Sequence, residues 1–262
     1  MHNQMEINEK QFSQITLKEE NLTVTIKKGI HASLVMQYEQ HINERDVNFV
    51  LEEGSSLTLL MANNLNEACN VKQVIDMFKD ATLKLAYWEL NEGASNIKTI
   101  VNLNESGANA YVSNVALANS NKDYFIQVEH FAPYTNAKME NYAIVKDGSK
   151  YMMEAIGKIN KGCYASDSHQ STRVLTLTKN HQSKVLPVLL IDENDVKASH
   201  AMTLGQPDEN QLYYLQTRGI SREAALSLLT VGYLMPITEI FDDQDMQEAM
   251  KQAIEKKVGL HA

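Results

Sequence analysis

Short runs in which apolar and polar residues alternate dominate this 262-residue chain. In the first clear run, Leu22, Val24 and Ile26 are separated by threonines. Similar runs begin at Val47, Leu57, Leu83, Ile97, Tyr124 and Tyr151. Successive side chains of an extended strand point to opposite faces, so each run predicts a strand with one buried face. The chain is therefore expected to be mainly β-structure, built from many short strands.

Several connections between these runs share an apolar–x–acid–glycine–small pattern. It occurs at residues 51–55 (LEEGS), 90–94 (LNEGA) and 145–149 (VKDGS). Glycine at such a corner predicts a backbone with positive φ. Two topologies fit many short strands: an antiparallel sandwich and a parallel β-helix. Two-residue hairpin turns are nearly absent, which favours the β-helix. The alternation is interrupted in residues 62–79, to which no strand or helix is assigned.

After Pro207 the apolar residues recur every three or four positions, which indicates helices. Pro207 is suited to the first position of a helix, and Gly219 is suited to the position after its end. Ser221 is expected to cap a second helix, whose packed stripe includes Ala225 and Leu228. The C-terminal part of the chain is therefore predicted to be helical.

A short apolar piece beginning at Pro236 and a last helix complete this part. Asp242 or Asp243 is expected to cap the last helix, because a carboxylate can accept its free N–H groups. The pattern predicts two regions, a β-helix body over residues 1–204 and a small helical subdomain over residues 205–262.

The formal net charge of −9 bears on the kind of partner that the chain can bind. Nucleic acids and anionic membranes are bound by basic patches, so neither partner is expected. The first twenty residues lack the apolar core of a secretory signal, and no run approaches the roughly 18 apolar residues of a membrane span. Cys69 and Cys163 are the only cysteines and are far apart, as is typical of a reducing compartment. These features predict a cytoplasmic protein.

No motif of a serine hydrolase, a nucleotide-binding enzyme or a zinc protease occurs in the sequence. Cys163 is a weak candidate for a metal-binding thiolate, because Lys161 is its one basic neighbour in sequence. Cys69 is expected to be structural. Lone histidines without metal spacing are expected to be ordinary strand or surface residues: His31, His41, His130, His169 and His181. The residues alone favour a non-enzymatic protein suited to interaction.

The segment around residues 195–221 is more specific than any of these features. It reads DVKASHAMTLG at 195–205, DENQLYYL at 208–215 and RGIS at 218–221. This series resembles the C-terminal signature of the SufB/SufD family, the scaffold proteins of the SUF iron–sulfur cluster assembly machinery. Residues 170–191 continue the resemblance in register, and the strong similarity covers about residues 157–234.

The resemblance implies a right-handed parallel β-helix followed by a helical subdomain. In the family, the helical part docks onto the ABC-type ATPase SufC, and the β-helices of two scaffold subunits pair. Residues 210–241 match the region of the ATPase contact. The nucleotide is expected to be bound by the ATPase, and this chain is expected to bind none directly. The residues expected to contribute to docking are Leu212, Tyr213, Leu215, Arg218, Gly219, Leu228, Leu229 and Ile237.

The resemblance also makes His200 a candidate for the site where the cluster is built. The matching histidine of SufD-like members lies at the subunit interface, and a neutral imidazole can bind iron or relay protons. An iron–sulfur cluster is thus expected only transiently and between subunits; simple interface packing by His200 is the alternative. SufB-type members have a cysteine within the segment matching residues 169–173 and a glutamate matching Ala201, so this chain is SufD-like.

Other departures weaken direct ligation of a cluster. Leu190 stands where the family commonly has an acid, and the N-terminal helical region of longer members has no counterpart in these 262 residues. The leading hypothesis is a SufD-like scaffold that pairs with a SufB-like or identical subunit. The alternatives are a β-helix carbohydrate-active enzyme with clustered carboxylates, and a degenerate adaptor that binds the partners without a cluster.

Overall fold

The computed structural model describes residues 3–38 and 42–259, and sixteen strands precede the helical part. The odd-numbered strands are β1 (Asn3–Ile7), β3 (Asn21–Ile26), β5 (Arg45–Leu51), β7 (Cys69–Met77), β9 (Ser95–Leu103), β11 (Asn121–His130), β13 (Lys150–Ile159) and β15 (Gln182–Ile191). The even-numbered strands are β2 (Gln11–Leu17), β4 (His31–Tyr38), β6 (Ser56–Asn63), β8 (Thr82–Glu89), β10 (Asn109–Ala118), β12 (Asn136–Val145), β14 (Ser166–Thr176) and β16 (Val196–Gly205).

These strands form two parallel sheets of eight strands each. The odd sheet contains the odd-numbered strands in order, and the even sheet contains the even-numbered strands. Each strand pairs with the strand two places away in sequence, and the pairings are parallel. Every coil thus contributes one strand to each sheet. The predicted parallel β-helix is confirmed, and the antiparallel sandwich is wrong.

The coils grow along the chain. Asn3 pairs with Leu22, 19 residues later, whereas Lys150 pairs with Gln182, 32 residues later. The strands lengthen as well, from 5 residues in β1 to 11 residues in β14. Because the spacing between equivalent positions changes from coil to coil, the sequence carries no fixed repeat.

The core fills the space between the two sheets with the inward side chains of the alternating runs. Phe49 and Val24, for example, are 0% exposed. The unassigned residues 62–79 complete β6 and form β7, a regular strand of the odd sheet. Its inward row contains a polar residue, Gln73, which accepts a hydrogen bond from the Tyr87 hydroxyl. Because the polar Gln73 is buried and the apolar Val74 is exposed, the alternation of β7 is not visible in the sequence.

One corner of the β-helix repeats a left-handed backbone in successive coils. The residues with φ between 54° and 81° at this corner are Gly29, Gly54, Asp80, Gly107, Tyr134 and Ala165. Each donates its backbone N–H to the next coil, as Gly54 does to the Lys79 carbonyl at 2.8 Å. The positive φ predicted for the acid–glycine turns is confirmed at Gly54 and Gly148 but wrong at Gly93. Gly93 is needed for space instead, since a Cβ there would lie 2.1 Å from the Glu67 carbonyl oxygen.

The helical part begins at residue 209. It consists of α1 (Glu209–Thr217), α2 (Arg222–Leu234), a 3₁₀ helix (Met235–Ile240) and α3 (Gln244–Val258). Gly219 follows α1 with φ 84°, and Ser221 caps α2, as predicted. The prediction for Pro207 is wrong, because the Asp208 carboxylate caps α1 by accepting the Asn210 N–H at 2.8 Å. Pro207 therefore lies before the cap.

The helices pack on the outer face of the even sheet and share a second core with it. This core joins Val35, Leu60, Ala86, Leu90, Val115, Leu117, Ile144 and Leu175 of the β-helix to Leu234, Ile237, Ile240, Phe241, Met250 and Ile254. Helix α2 turns Ala225 and Leu234 inward. Leu228 faces the other way and is 42% exposed, so its predicted place in the packed stripe is wrong.

Candidate functional site

The last coil, formed by β15 and β16, ends both sheets. Strand β15 pairs with β13, and β16 pairs with β14, so within the described residues each has a partner on one side. All but the two terminal residues of β16 are exposed, whereas most of β14 is buried or half-buried. We call β15 and β16 together the open end. A sheet edge with free backbone N–H and C=O groups is a surface at which another chain can add.

The open end exposes side chains that continue the interior rows of the β-helix. Met202 pairs with Thr172, and Leu204 pairs with Val174. Thr172 and Val174 are each 1% exposed, but Met202 is 49% exposed and Leu204 is 39% exposed. The cross-section of the core is therefore open to solvent at this end. Burial of apolar surface is favourable by about 25 cal/mol per Å², so a covering surface would stabilise it.

His200 occupies the same open cross-section. It pairs with Gln170, a residue that is 4% exposed and donates its side-chain N–H to the Val188 carbonyl at 2.8 Å. His200 itself is exposed. On the opposite face of the two strands, the imidazole of His169 hydrogen-bonds the Ser199 hydroxyl at 2.7 Å. The sequence-predicted candidate is therefore accessible at the open end, where a ligand or a second subunit can reach it.

Cys163, the weaker candidate, lies in the turn before β14 and is 2% exposed. Its thiol donates to the His130 carbonyl oxygen at 3.2 Å, and burial raises its pKa above the ordinary value. The thiol is thus neutral at physiological pH. Among residues 3–38 and 42–259, no three or more His, Cys, Asp and Glu side chains form a group that could hold a metal ion.

The lone histidines that the structure describes each hydrogen-bond a hydroxyl group. Three bond to serines at 2.6–2.9 Å: His31, His169 and His181. His130 differs from them, because it is 0% exposed and bonds the Thr135 hydroxyl through Nδ1 at 2.7 Å. His41 lies outside the described residues.

A buried polar cluster occupies the interior of the middle coils, and sequence reasoning missed it. Lys122 and Glu89, both 0% exposed, form an ion pair at 3.5 Å. The Lys122 ammonium also donates to the side chains of Asn91 at 2.6 Å and Ser95 at 3.0 Å. Burial, more than the Glu89 charge, raises the pKa of the nearby Cys69 thiol to about 11. Both charged residues fall at inward positions of alternating runs, which is the one signal that the sequence contains.

A pocket of about 200 Å³ reaches this cluster from the surface, at the starts of β7, β9 and β11. Cys69 and Lys122 line it together with Asn70, Asn96 and Asp123. Because the Cys69 thiol is 1% exposed and protonated, it fits the structural role that the sequence predicted.

The second candidate surface is the outer side of the α1–α2 hairpin. Of the residues predicted to dock the ATPase, Leu212 and Ile237 are buried in the protein's own core. Leu215 and Leu229 are half-buried. The exposed ones are Tyr213, Arg218, Gly219 and Leu228. Tyr214, which was not predicted, is 57% exposed, and the Arg218 guanidinium lies 5.3 Å from its ring centroid.

The hairpin face carries a shallow groove. A groove of about 470 Å³ between α1 and α2 is lined by Tyr214, Leu215 and Leu229. Arg222 at the start of α2 donates to both carboxylate oxygens of Glu209 at the start of α1, at 2.8 and 2.7 Å. This two-point ion pair holds the helices in register. An apolar groove with an aromatic rim suits a protein partner.

Comparison with known proteins gives a family match over most of the chain. The family model described as "SUF system FeS cluster assembly, SufBD core domain" matches residues 7–233. The iron–sulfur cluster assembly protein SufD of Bacillus subtilis is 27% identical over 87% of this chain and 55% of its own length. SufD of Escherichia coli is 24% identical over 69% of this chain and 42% of its own length. SufB of B. subtilis is 25% identical over 60% of this chain and 35% of its own length.

The chain spans about half the length of the SufD proteins that it matches. None of the helices in the described part of the chain is long and apolar enough to cross a membrane.

Proposed function

From the premise that this chain belongs to the SufBD core family of the SUF iron–sulfur cluster assembly system, we propose that it is a SufD-like scaffold subunit. It performs no catalysis itself and works in the cytoplasm, in a complex with a SufC-like ATPase and a second scaffold. The observation that carries the proposal is the open end, where the core of the β-helix is uncovered beside an exposed histidine. The free, buried cysteines suit a reducing compartment.

The open end pairs the chain with a second scaffold subunit. Met202, Leu204 and Leu190 are each between 39% and 49% exposed. A SufB-like β-helix, or a second copy of this chain, would cover these side chains and satisfy the free backbone groups of the two edge strands. One interface would thereby supply both apolar burial and hydrogen bonds.

The hairpin face binds the SufC-like ATPase. Tyr213 is 70% exposed, Tyr214 57% and Leu228 42%, so the hairpin leaves three large apolar side chains uncovered. Exposed aromatic residues near a groove are typical anchors of protein interfaces. The Arg222–Glu209 pair joins the two helices, and α2 shares a core with the even sheet, so movement of the ATPase would be transmitted to the β-helix.

The iron–sulfur cluster is cargo of the complex. His200 supplies an imidazole at the open end, and the pairing subunit supplies the remaining ligands, because the described residues hold no complete ligand set. The same lack of ligands suits the second candidate function, an adaptor that binds both partners and never contacts iron.

Two charge substitutions test the two surfaces separately. Leu228→Asp is expected to weaken binding of the SufC-like ATPase at least tenfold while scaffold pairing is retained, since it places a charge on the hairpin face. Met202→Asp is expected to weaken scaffold pairing at least tenfold while binding of the ATPase is retained. Pull-down with the purified ATPase and light scattering with a SufB-like subunit measure both. Absence of ATPase binding by the wild-type chain, where a full-length relative binds, would refute the proposal.

Anaerobic reconstitution with iron and sulfide separates the scaffold from the adaptor. With the SufB-like subunit present, His200→Ala is expected to lower the cluster absorbance, whereas His169→Ala, on the opposite face, is the matched control. Equal cluster yield in the two variants would favour the adaptor.

A further inference from the structure

Three exposed aromatic side chains lie at one corner of the β-helix, in the turns that precede β12 and β14. Phe131 is 50% exposed, Tyr134 56% and Tyr164 44%. The rings of Tyr134 and Tyr164 meet edge to face, with their centroids 5.3 Å apart and an interplanar angle of 79°. We call these three residues the aromatic corner.

Tyr134 occupies an unfavourable backbone position. Its φ is 58°, and it is one of the six left-handed residues at this corner of the β-helix, three of which are glycines. A bulky side chain in this conformation brings its Cβ close to the following carbonyl and is a genuine outlier. The strained backbone of Tyr134, together with its exposed ring, points to a function of that ring.

The turn that carries Tyr134 is held by buried hydrogen bonds. The Thr135 hydroxyl donates to the Ala132 carbonyl at 3.0 Å and bonds His130 Nδ1 at 2.7 Å. The Tyr134 N–H donates to the Tyr164 carbonyl at 3.0 Å, which joins the two aromatic turns. The rings are therefore presented on a rigid support, so little entropy is lost when a partner binds.

The turns stacked around the aromatic corner are acidic. Glu105 in the turn before Tyr134, and Asp192 and Asp195 in the turn after Tyr164, are all exposed. Lys161 is the one basic residue of these stacked turns. Backbone hydrogen bonds connect these turns to the aromatic ones. The Gly107 N–H donates to the Tyr134 carbonyl at 3.1 Å, and the Ala165 N–H donates to the Asp195 carbonyl at 2.7 Å. These neighbouring turns thus combine exposed aromatic rings with exposed carboxylates, one of which, Glu105, also accepts the Lys79 N–H at 3.0 Å.

We propose that the aromatic corner binds arginine side chains presented by a protein partner. A guanidinium group is planar and cationic, so it stacks on a tyrosine face and can also bond a carboxylate with two N–H groups. Lysine offers a more strongly hydrated point charge and fits this combination less well. The three rings belong to neither the open end nor the hairpin face, so the proposal goes beyond the scaffold function, although Asp192 and Asp195 lie in the turn that joins β15 to β16.

A labelled peptide with three arginines separated by glycines is the probe, and its lysine counterpart is the control. Fluorescence anisotropy at 150 mM salt is expected to show saturable binding of the arginine peptide and at least threefold weaker binding of the lysine peptide. Tyr134→Gly is expected to weaken arginine-peptide binding at least tenfold. Its melting temperature is expected to equal that of the wild-type protein or to lie up to about 4 °C above it. Phe12→Ala, which removes a 57% exposed ring on β2, is the matched control and is expected to bind as the wild type does.

Three results would overturn the proposal. The first is that the arginine peptide shows no saturable binding to the wild-type protein. The second is that Tyr134→Gly binds this peptide as tightly as the wild type does, and the third is that the wild type binds both peptides equally. The last two would show general attraction of cations to a protein of charge −9. A lower melting temperature for Tyr134→Gly would show that the ring stabilises the fold, and would also count against the proposal.

Discussion

The buried histidine at the aromatic corner predicts how acid destabilises this protein. His130 is 0% exposed, and burial lowers its pKa from 6.5 to about 4. Its Nε2 has no hydrogen-bond partner, so a proton there would be buried without an acceptor, and the Asp167 charge offsets this cost only in part. The folded state therefore resists protonation of His130, whereas the unfolded chain accepts a proton at about pH 6.5.

The sign and size of the effect follow from this difference. Above pH 6.5 the imidazole is neutral in both states, and the full stability is present. As the pH falls from 6.5 to 4, the unfolded state gains a proton first, and stability is lost. The linkage amounts to about 2 kcal/mol between pH 7 and pH 5, and about 3 kcal/mol once the pH is below 4.

Urea unfolding of the wild-type protein and of His130→Gln at pH 7 and pH 5 measures this term. Glutamine is polar and neutral at both pH values, so the variant is expected to lose about 2 kcal/mol less than the wild type over the same range. His169→Gln, which changes a half-exposed histidine, is the control and is expected to keep the wild-type slope. Equal pH dependence in the wild type and His130→Gln would refute the assignment of acid sensitivity to His130.

The remaining predictions concern the interior and its turns. Lys122→Met and Glu89→Gln are each expected to cost about 3–5 kcal/mol in urea unfolding, because each leaves a buried charge unpaired, and the double variant is expected to cost less than their sum. Gly93→Ala is expected to destabilise the protein by more than Gly148→Ala, which costs about 1–2 kcal/mol through its positive φ alone; thermal melts compare the two. Cys69 is expected to resist alkylation at pH 7 until the protein unfolds, as followed by mass spectrometry, and rapid native labelling would contradict its buried, protonated state.

The strands and helix caps were largely predictable because their signals are local. Alternation identifies the strands that contain Val24 and Phe49, and Ser221 marks the start of α2 by its side-chain chemistry alone. The signal failed in β7, where Gln73 takes an inward position. Its partner Tyr87 comes from β8, on the opposite sheet, and local periodicity does not reveal such a contact.

The interior cluster and the exposure of candidate residues depend on register, which the sequence does not display. Glu89 and Lys122 are 33 positions apart, and changing coil lengths bring them together. Likewise, helical spacing made Leu228 part of an apolar stripe, but the direction in which α2 meets the even sheet decided that it faces solvent. His200 was identified through family resemblance, and its place on the uncovered cross-section required the fold.

The growth of the coils from 19 to 32 residues makes the solenoid a wedge. Two copies stacked in the same direction would set a wide coil against a narrow one, and much of the wide cross-section would stay wet. Two wedges joined at their broad ends would match in perimeter, so each would cover the other's cross-section. The broad end of each copy would then be occupied, and no further copy could add there. The taper therefore opposes end-to-end stacking through the open end, which is a hazard of an uncovered sheet edge.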